Sequence, residues 1–195
     1  MLGGQYCSDT PRGAVVEGNL KGIDVVQENL RQLCVFDVVS ETDEEYKYWD
    51  YVVDFADRCF GEEGITSENF KQCSDETAQA NGIDHTKVDQ CVTASGGNGV
   101  EYGTNSKLEA EKTAAAQLTI FELPSFIING AEFRGSNSFG PILTGICNAF
   151  MDETEPEICD QVLDPSGATK GDYVLSVDVY VVFELGILSV SVHHS

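Results

Sequence analysis

An α-rich α/β domain stapled by disulfides is predicted by three observations. Residues 121–135 read Phe-Glu-Leu-Pro-Ser-Phe-Ile-Ile-Asn-Gly-Ala-Glu-Phe-Arg-Gly, a short apolar strand and its return on either side of Asn129-Gly130. Both residues of that pair tolerate the positive φ of a type I′ turn, the strongest short-range hairpin signal. Upstream stretches repeat apolar residues at helical spacing. Seven cysteines, Cys7, Cys34, Cys59, Cys73, Cys91, Cys147 and Cys159, are spread along the chain without any CxxC. Spread cysteines of this kind read as structural bridges in an oxidising compartment. The odd count leaves one thiol unpaired, or paired outside these residues.

A length of 195 residues allows one domain, or one domain with a tail, and a real hydrophobic core. The charge is unusual: 33 acidic against 11 basic residues give −22. Nucleic acids and anionic membranes each select a basic face, so both are disfavoured as partners. The simplest reading of the acidity is solubility; the alternatives are calcium or a basic partner. Met1 to Cys7 has neither the basic start nor the apolar centre of a secretory signal. With luminal cysteines, that leads us to expect a partial chain.

Residues 8–22 contain Pro11, Gly13, Gly18 and Gly22 and read as an irregular lead-in. Ile23 to about Val39 is predicted helical, with Val26, Leu30, Leu33 and Cys34 on one face. Thr42-Asp-Glu-Glu45 has the form of a capping box, opening a helix whose Tyr48, Tyr51, Val52, Phe55, Ala56 and Cys59 share a face. With Trp49, these aromatics are expected to pack a core rather than cage a ligand. Thr66 or Ser67 is expected to cap a third helix to about Ala80, ended by Asn81-Gly82. Asp84 is expected to cap a fourth, through Val88 and Cys91. Such short helices bury little surface each, which suits staples among Cys59, Cys73 and Cys91. Residues 94–105, with four glycines, have no phosphate-binding pattern and read as a loop. Ser106-Lys-Leu-Glu109 resembles a second capping box, starting an alanine-rich helix to about Leu118.

After the hairpin, Phe139, Ile142, Leu143, Ile146, Cys147 and Phe150 predict a closing helix that ends near Asp152. Thr154 to Cys159 reads as an extended, disulfide-like segment, and Asp164-Pro-Ser-Gly167 as a turn. From Tyr173 to Val192 the alternation of Leu175, Val177, Val179, Val181, Phe183 and Leu185 favours strand. Asp178 and Glu184 would each cost about 2.5–3.5 kcal/mol in a membrane, so a span is disfavoured. Spacing leaves the disulfide pairing open: Cys147 joins Cys159, or each reaches elsewhere.

Few residues offer catalytic chemistry. His85 is the sole internal histidine and reads as a surface residue at a helix start. The cysteines and histidines match no zinc spacing. Glu41, Asp43, Glu44 and Glu45 suit a helix N-terminus without any metal. The segment from Asp160 to Asp172 lacks the alternating ligands of an EF-hand loop. No catalytic residue, metal or cofactor is expected.

A family resemblance emerges from an ordered set of motifs. These are Gly3-Gly4-Gln5-Tyr6-Cys7, Gly22-Ile23-Asp24-Val25-Val26, Glu28 to Cys34, Trp49-Asp50-Tyr51-Val52, Asp54-Phe55 and Arg58-Cys59. Gly82-Ile83-Asp84, Lys87-Val88-Asp89 with Cys91, Leu123-Pro124-Ser125, Phe133-Arg134-Gly135, Thr154-Glu155-Pro156 and Ile158-Cys159 complete it. Together they resemble the central luminal region of vacuolar sorting receptors, over roughly residues 3–160. The resemblance implies a thioredoxin-like domain at 23–152 with a helical insertion at about 42–95, after the lead-in of 1–22. Residues 153–195 then form a divergent C-terminal tail. The first strand of that fold is expected before Gly3, and Pro124 takes the place of the fold's cis-proline.

Members of that family are type I membrane receptors that carry hydrolases and storage proteins from the Golgi to the vacuole. They join a protease-associated domain, this domain, epidermal-growth-factor-like repeats and one membrane helix. The chain is therefore expected to be a non-catalytic luminal domain in the secretory pathway, meeting vacuolar cargo through a neighbouring domain. The alternatives are a luminal thiol oxidoreductase of the same fold, for which the CxxC is missing, and a secreted disulfide-rich protein.

Overall fold

The computed structural model describes residues 20–59, 64–97, 103–118, 125–136, 138–150, 154–156, 158–159, 176–183 and 186–193. Two compact units divide the chain, residues 1–112 and 113–195. Cys7, Pro124, Asp160 to Asp172 and much of the Gly-rich loop lie outside the described residues.

The first unit is helical. Helix α1 spans Gly22–Ser40, and Val26, Leu30, Cys34 and Val38 form a buried stripe along it. Its start is satisfied by the Asp24 carboxylate, which accepts from the Lys21 backbone N–H at 2.6 Å. Its end differs from expectation. Asp43 enters the left-handed region, and the Glu44 N–H returns to the Val39 carbonyl at 3.0 Å. The Thr42 hydroxyl donates to that same carbonyl and to the Glu44 carboxylate. Thr42 therefore closes α1 and does not cap the next helix, because the chain reverses there and the freed carbonyls of α1 compete for the hydroxyl.

Helix α2, Tyr46–Cys59, buries Tyr48, Tyr51, Phe55 and Cys59. Tyr48 meets Phe36 of α1 edge to face at 5.4 Å, and Phe55 meets Phe70 at 5.6 Å. Helix α3, Phe70–Ala80, starts later than its sequence suggests. The preceding turn is held by Asn69, whose side chain accepts from the Thr66 N–H at 2.7 Å. At its other end Gly82 has φ +69°, and the Ile83 N–H reaches the Ala78 carbonyl at 2.9 Å. This is the glycine-terminated helix end expected of Asn81-Gly82. Asp84 caps α4, His85–Ala94, accepting from the N–H groups of Thr86 and Lys87. Helix α5 spans Ser106–Leu118. Its cap is Asn105, one residue before the expected serine: the buried Asn105 side chain accepts from Lys107 and Leu108 and donates to Ser95 at 2.9 Å.

In the second unit the hairpin forms as expected. Strand β1, Ser125–Ile128, pairs antiparallel with β2, Ala131–Glu132. Asn129 and Gly130 have φ +49° and +75°, the left-handed pair that a type I′ turn requires. The C-terminal apolar stretch forms two strands, not one: β3, Ser176–Phe183, and β4, Gly186–His193. The sheet order is β2-β1-β3-β4 with every pairing antiparallel. The closing helix α6, Phe139–Cys147, is shorter than predicted. Phe139 at its start is 80% exposed, whereas Cys147 and Phe150 are buried. Gly145 permits the close approach of α6 to the hairpin, since a Cβ there would lie 2.8 Å from the Phe133 ring. Ile128 and Phe150 anchor this core, with Phe133, Ile146 and Ala149 packed around them.

Three disulfides lock these elements: Cys34–Cys91 joins α1 to α4, Cys59–Cys73 joins α2 to α3, and Cys147–Cys159 ties the end of α6 to the segment after it. The first closes 57 residues and the second 14. Chain-entropy arguments give about 4 and about 3 kcal/mol respectively. Replacing Cys34 and Cys91 together by alanine is expected to lower the urea midpoint more than replacing Cys59 and Cys73 together. Equal losses would show that packing rather than loop closure sets the effect.

Candidate functional site

Thiol chemistry requires a thiolate. Each cysteine among the described residues is held in a disulfide. Cys34, Cys59, Cys147 and Cys159 are also buried to within 1% exposure. In the described residues these sulfurs therefore act as staples, with Cα separations of 5.4 to 5.8 Å.

The densest polar chemistry lies inside the helical unit. Glu28 projects from the buried face of α1 and is 3% exposed. One carboxylate oxygen accepts from the Tyr51 hydroxyl of α2 at 2.8 Å and from the Ser74 hydroxyl of α3 at 3.2 Å. The other accepts from Arg31 Nε at 3.1 Å. The Tyr51 and Ser74 hydroxyl oxygens also lie 2.8 Å from each other. Burial pushes the Glu28 carboxyl above its ordinary 4.5, outweighing the Arg31 charge and the three hydrogen bonds. Burial also raises the Tyr51 and Tyr48 hydroxyls, with the Glu28 charge adding to both. Glu28 carries no catalytic geometry, because a reacting group needs access to substrate and this one is enclosed on every side by its own fold.

Arg31 extends the network outward. Its guanidinium lies 3.8 Å from Asp75 and 3.6 Å from Asp89, and Lys71 reaches the same two carboxylates at 2.6 and 3.0 Å. His85 joins them: ligand atoms of Asp75, His85 and Asp89 lie within 4.8 Å of one another. The spacing of His85 and Asp89 at i, i+4 was visible in the sequence, but the third member comes from α3 and was not. Two cations already neutralise both carboxylates, so a metal would have to displace Arg31 and Lys71. The set is better described as an ion-pair cluster joining α1, α3 and α4. The acidic residues Glu41 and Glu44 are likewise paired, with Lys87 and Lys47.

The hairpin tip, Asn129 to Glu132, is exposed. No described helix is long and apolar enough to cross a membrane.

Removing the Glu28 carboxylate takes from Arg31, Tyr51 and Ser74 the buried acceptor they share. Glu28→Ala is expected to cost about 3–5 kcal/mol, the range for breaking a buried charge pair, read as a fall in the urea midpoint. The pH dependence has a definite sign. With its native carboxyl raised above 4.5, the folded chain holds a proton that the unfolded chain has lost. The stability contributed by Glu28 is therefore fullest below 4.5 and falls as pH rises through the raised value. The margin of the native protein over Glu28→Gln should narrow over that interval, and a widening margin would contradict the assignment.

Comparison with known proteins gives one consistent result. The family model of the vacuolar sorting receptor thioredoxin-like domain matches residues 1–147. Vacuolar-sorting receptor 2 of Arabidopsis thaliana is 33% identical over 158 residues, covering 80% of this chain. Vacuolar-sorting receptor 1 of Pisum sativum is 36% identical over 162 residues, and vacuolar-sorting receptor 6 of Arabidopsis thaliana is 36% identical over 162. The chain spans about a quarter of the length of these relatives, 24% in each case.

Proposed function

This chain belongs to the vacuolar sorting receptor family as a thioredoxin-like domain, and we propose that it serves as a non-catalytic luminal support for cargo recognition in Golgi-to-vacuole transport. The family match carries the reading, since its relatives are named as receptors and not as enzymes. The paired cysteines support it: the thioredoxin-type hairpin is kept, while the described sulfurs are spent on staples. A domain so locked suits positioning a neighbour better than turning over a substrate. Within this reading the chain works in the lumen of the secretory pathway, anchored as its relatives' family is, and vacuolar cargo is met through an adjoining domain. The exposed hairpin tip at Asn129–Glu132 is the surface of the second unit that would face such a neighbour.

The test is binding of a vacuolar-sorting peptide to this chain alone and to the chain joined to a receptor's protease-associated domain. We expect weak or no binding by the chain alone and clear binding by the pair. Strong binding by the chain alone would overturn the supporting role. Turnover in an insulin-reduction assay, with an alkylation rate whose rise with pH is centred below the ordinary thiol value of about 8.5, would instead establish the thiol oxidoreductase.

A further inference from the structure

We propose that the outward face of α2 is a docking surface for a basic, amphipathic segment of a partner protein. Tyr46 is 61% exposed, Trp49 38% and Val53 64%. They stand at i, i+3 and i+7, so they form one stripe along the helix, continued by exposed Ala56. The opposite face, Tyr48, Tyr51, Phe55 and Cys59, already supplies what α2 gives to its unit's core. Trp49 meets buried Tyr48 edge to face at 5.5 Å and still keeps 38% of its surface exposed, while Tyr46 and Val53 are mostly uncovered; an aromatic and aliphatic row is a costly choice for a surface that only has to be soluble.

The charges beside the stripe select the partner. Asp50 and Asp57 are exposed on the same face, two helical turns apart. Neither has a cation partner among the described residues, whereas Asp54, turned toward α3, pairs with Arg58 at 3.3 Å and accepts from Asn81 at 3.0 Å. A second copy of the chain would bring Asp50 and Asp57 against an equally acidic face on a chain of net charge −22. An anionic membrane would be repelled in the same way. A segment with aliphatic side chains at helical spacing and lysine or arginine on its flanks satisfies both halves of the surface. The surface is independent of whether the chain supports cargo, since it is read from α2 alone.

Trp49 is the sole tryptophan of the chain, so its emission reports on this face directly. The full chain would be titrated with three synthetic peptides: a helical peptide of leucine face and lysine flanks, the same peptide with glutamate flanks, and the lysine peptide in scrambled order. The expected result is a saturable shift of emission to shorter wavelength with the ordered lysine peptide, weakened by salt. Asp50→Lys with Asp57→Lys should weaken that binding about tenfold, and Val53→Asp should abolish the shift. Val53 is exposed, so the latter variant is expected to keep native helix content by circular dichroism. Several results would overturn the proposal. They are no saturable shift, an equal response to the scrambled peptide, undiminished binding by the charge-reversed variant, and self-association of the chain that Val53→Asp disrupts.

Discussion

One buried carboxylate organises the helical unit. Glu28 sits on the apolar face of α1, where a charge has no water to solvate it. It is tolerated because Tyr51 of α2, Ser74 of α3 and Arg31 of its own helix all donate to it. Those donors fix the relative rotation of three helices, since a helix turned by one residue would remove its donor. Arg31 then passes the charge on to Asp75 and Asp89, and so links α4 to the same system. A buried pair of this kind is poor evidence of extra stability but good evidence of a specified arrangement. We regard it as the device that makes four short helices pack in one way.

The disulfides complement this network. Cys34–Cys91 spans α1 and α4, and Cys59–Cys73 spans α2 and α3. Short helices have little apolar surface to hold them together, so covalent links between them restrict the unfolded chain where packing alone is thin. The strong negative charge sets a complementary demand. Self-repulsion disfavours the compact state, and Lys47, Lys71, Lys87 and Lys107 are accordingly placed against Glu44, Asp75, Glu41 and Asp37. Asp50 and Asp57 on the outer face of α2 stand apart from this pairing, beside the exposed side chains of Tyr46 and Val53 and the part-exposed ring of Trp49.

In the second unit the fold keeps a thioredoxin-type hairpin and closing helix. The outer edge of β1 is paired by β3, which in turn pairs β4, and Cys147 of the closing helix is bonded to Cys159. Both links restrain the hairpin and its closing helix, and rigid elements present partners better than mobile ones do.

Local chemistry was legible in the residues alone. Asp84 as a cap, Asn81-Gly82 as a helix end and Asn129-Gly130 as a turn each depend on side chains and φ values within a few residues. The helix faces followed from spacing for the same reason, and the family followed from motifs in order along the chain. Features that join distant residues were decided by tertiary structure. Thr42 has the letters of a capping box but serves the end of α1, because chain reversal put the Val39 carbonyl within its reach. Asn105 displaced Ser106 as a cap because its amide also meets Ser95. Glu28 gains its place as the centre of a network only from Tyr51 and Ser74, which lie 23 and 46 residues away. The partners of Cys34 and Cys59, and the pairing of β3 with β1, likewise rest on contacts across the chain that no local pattern encodes.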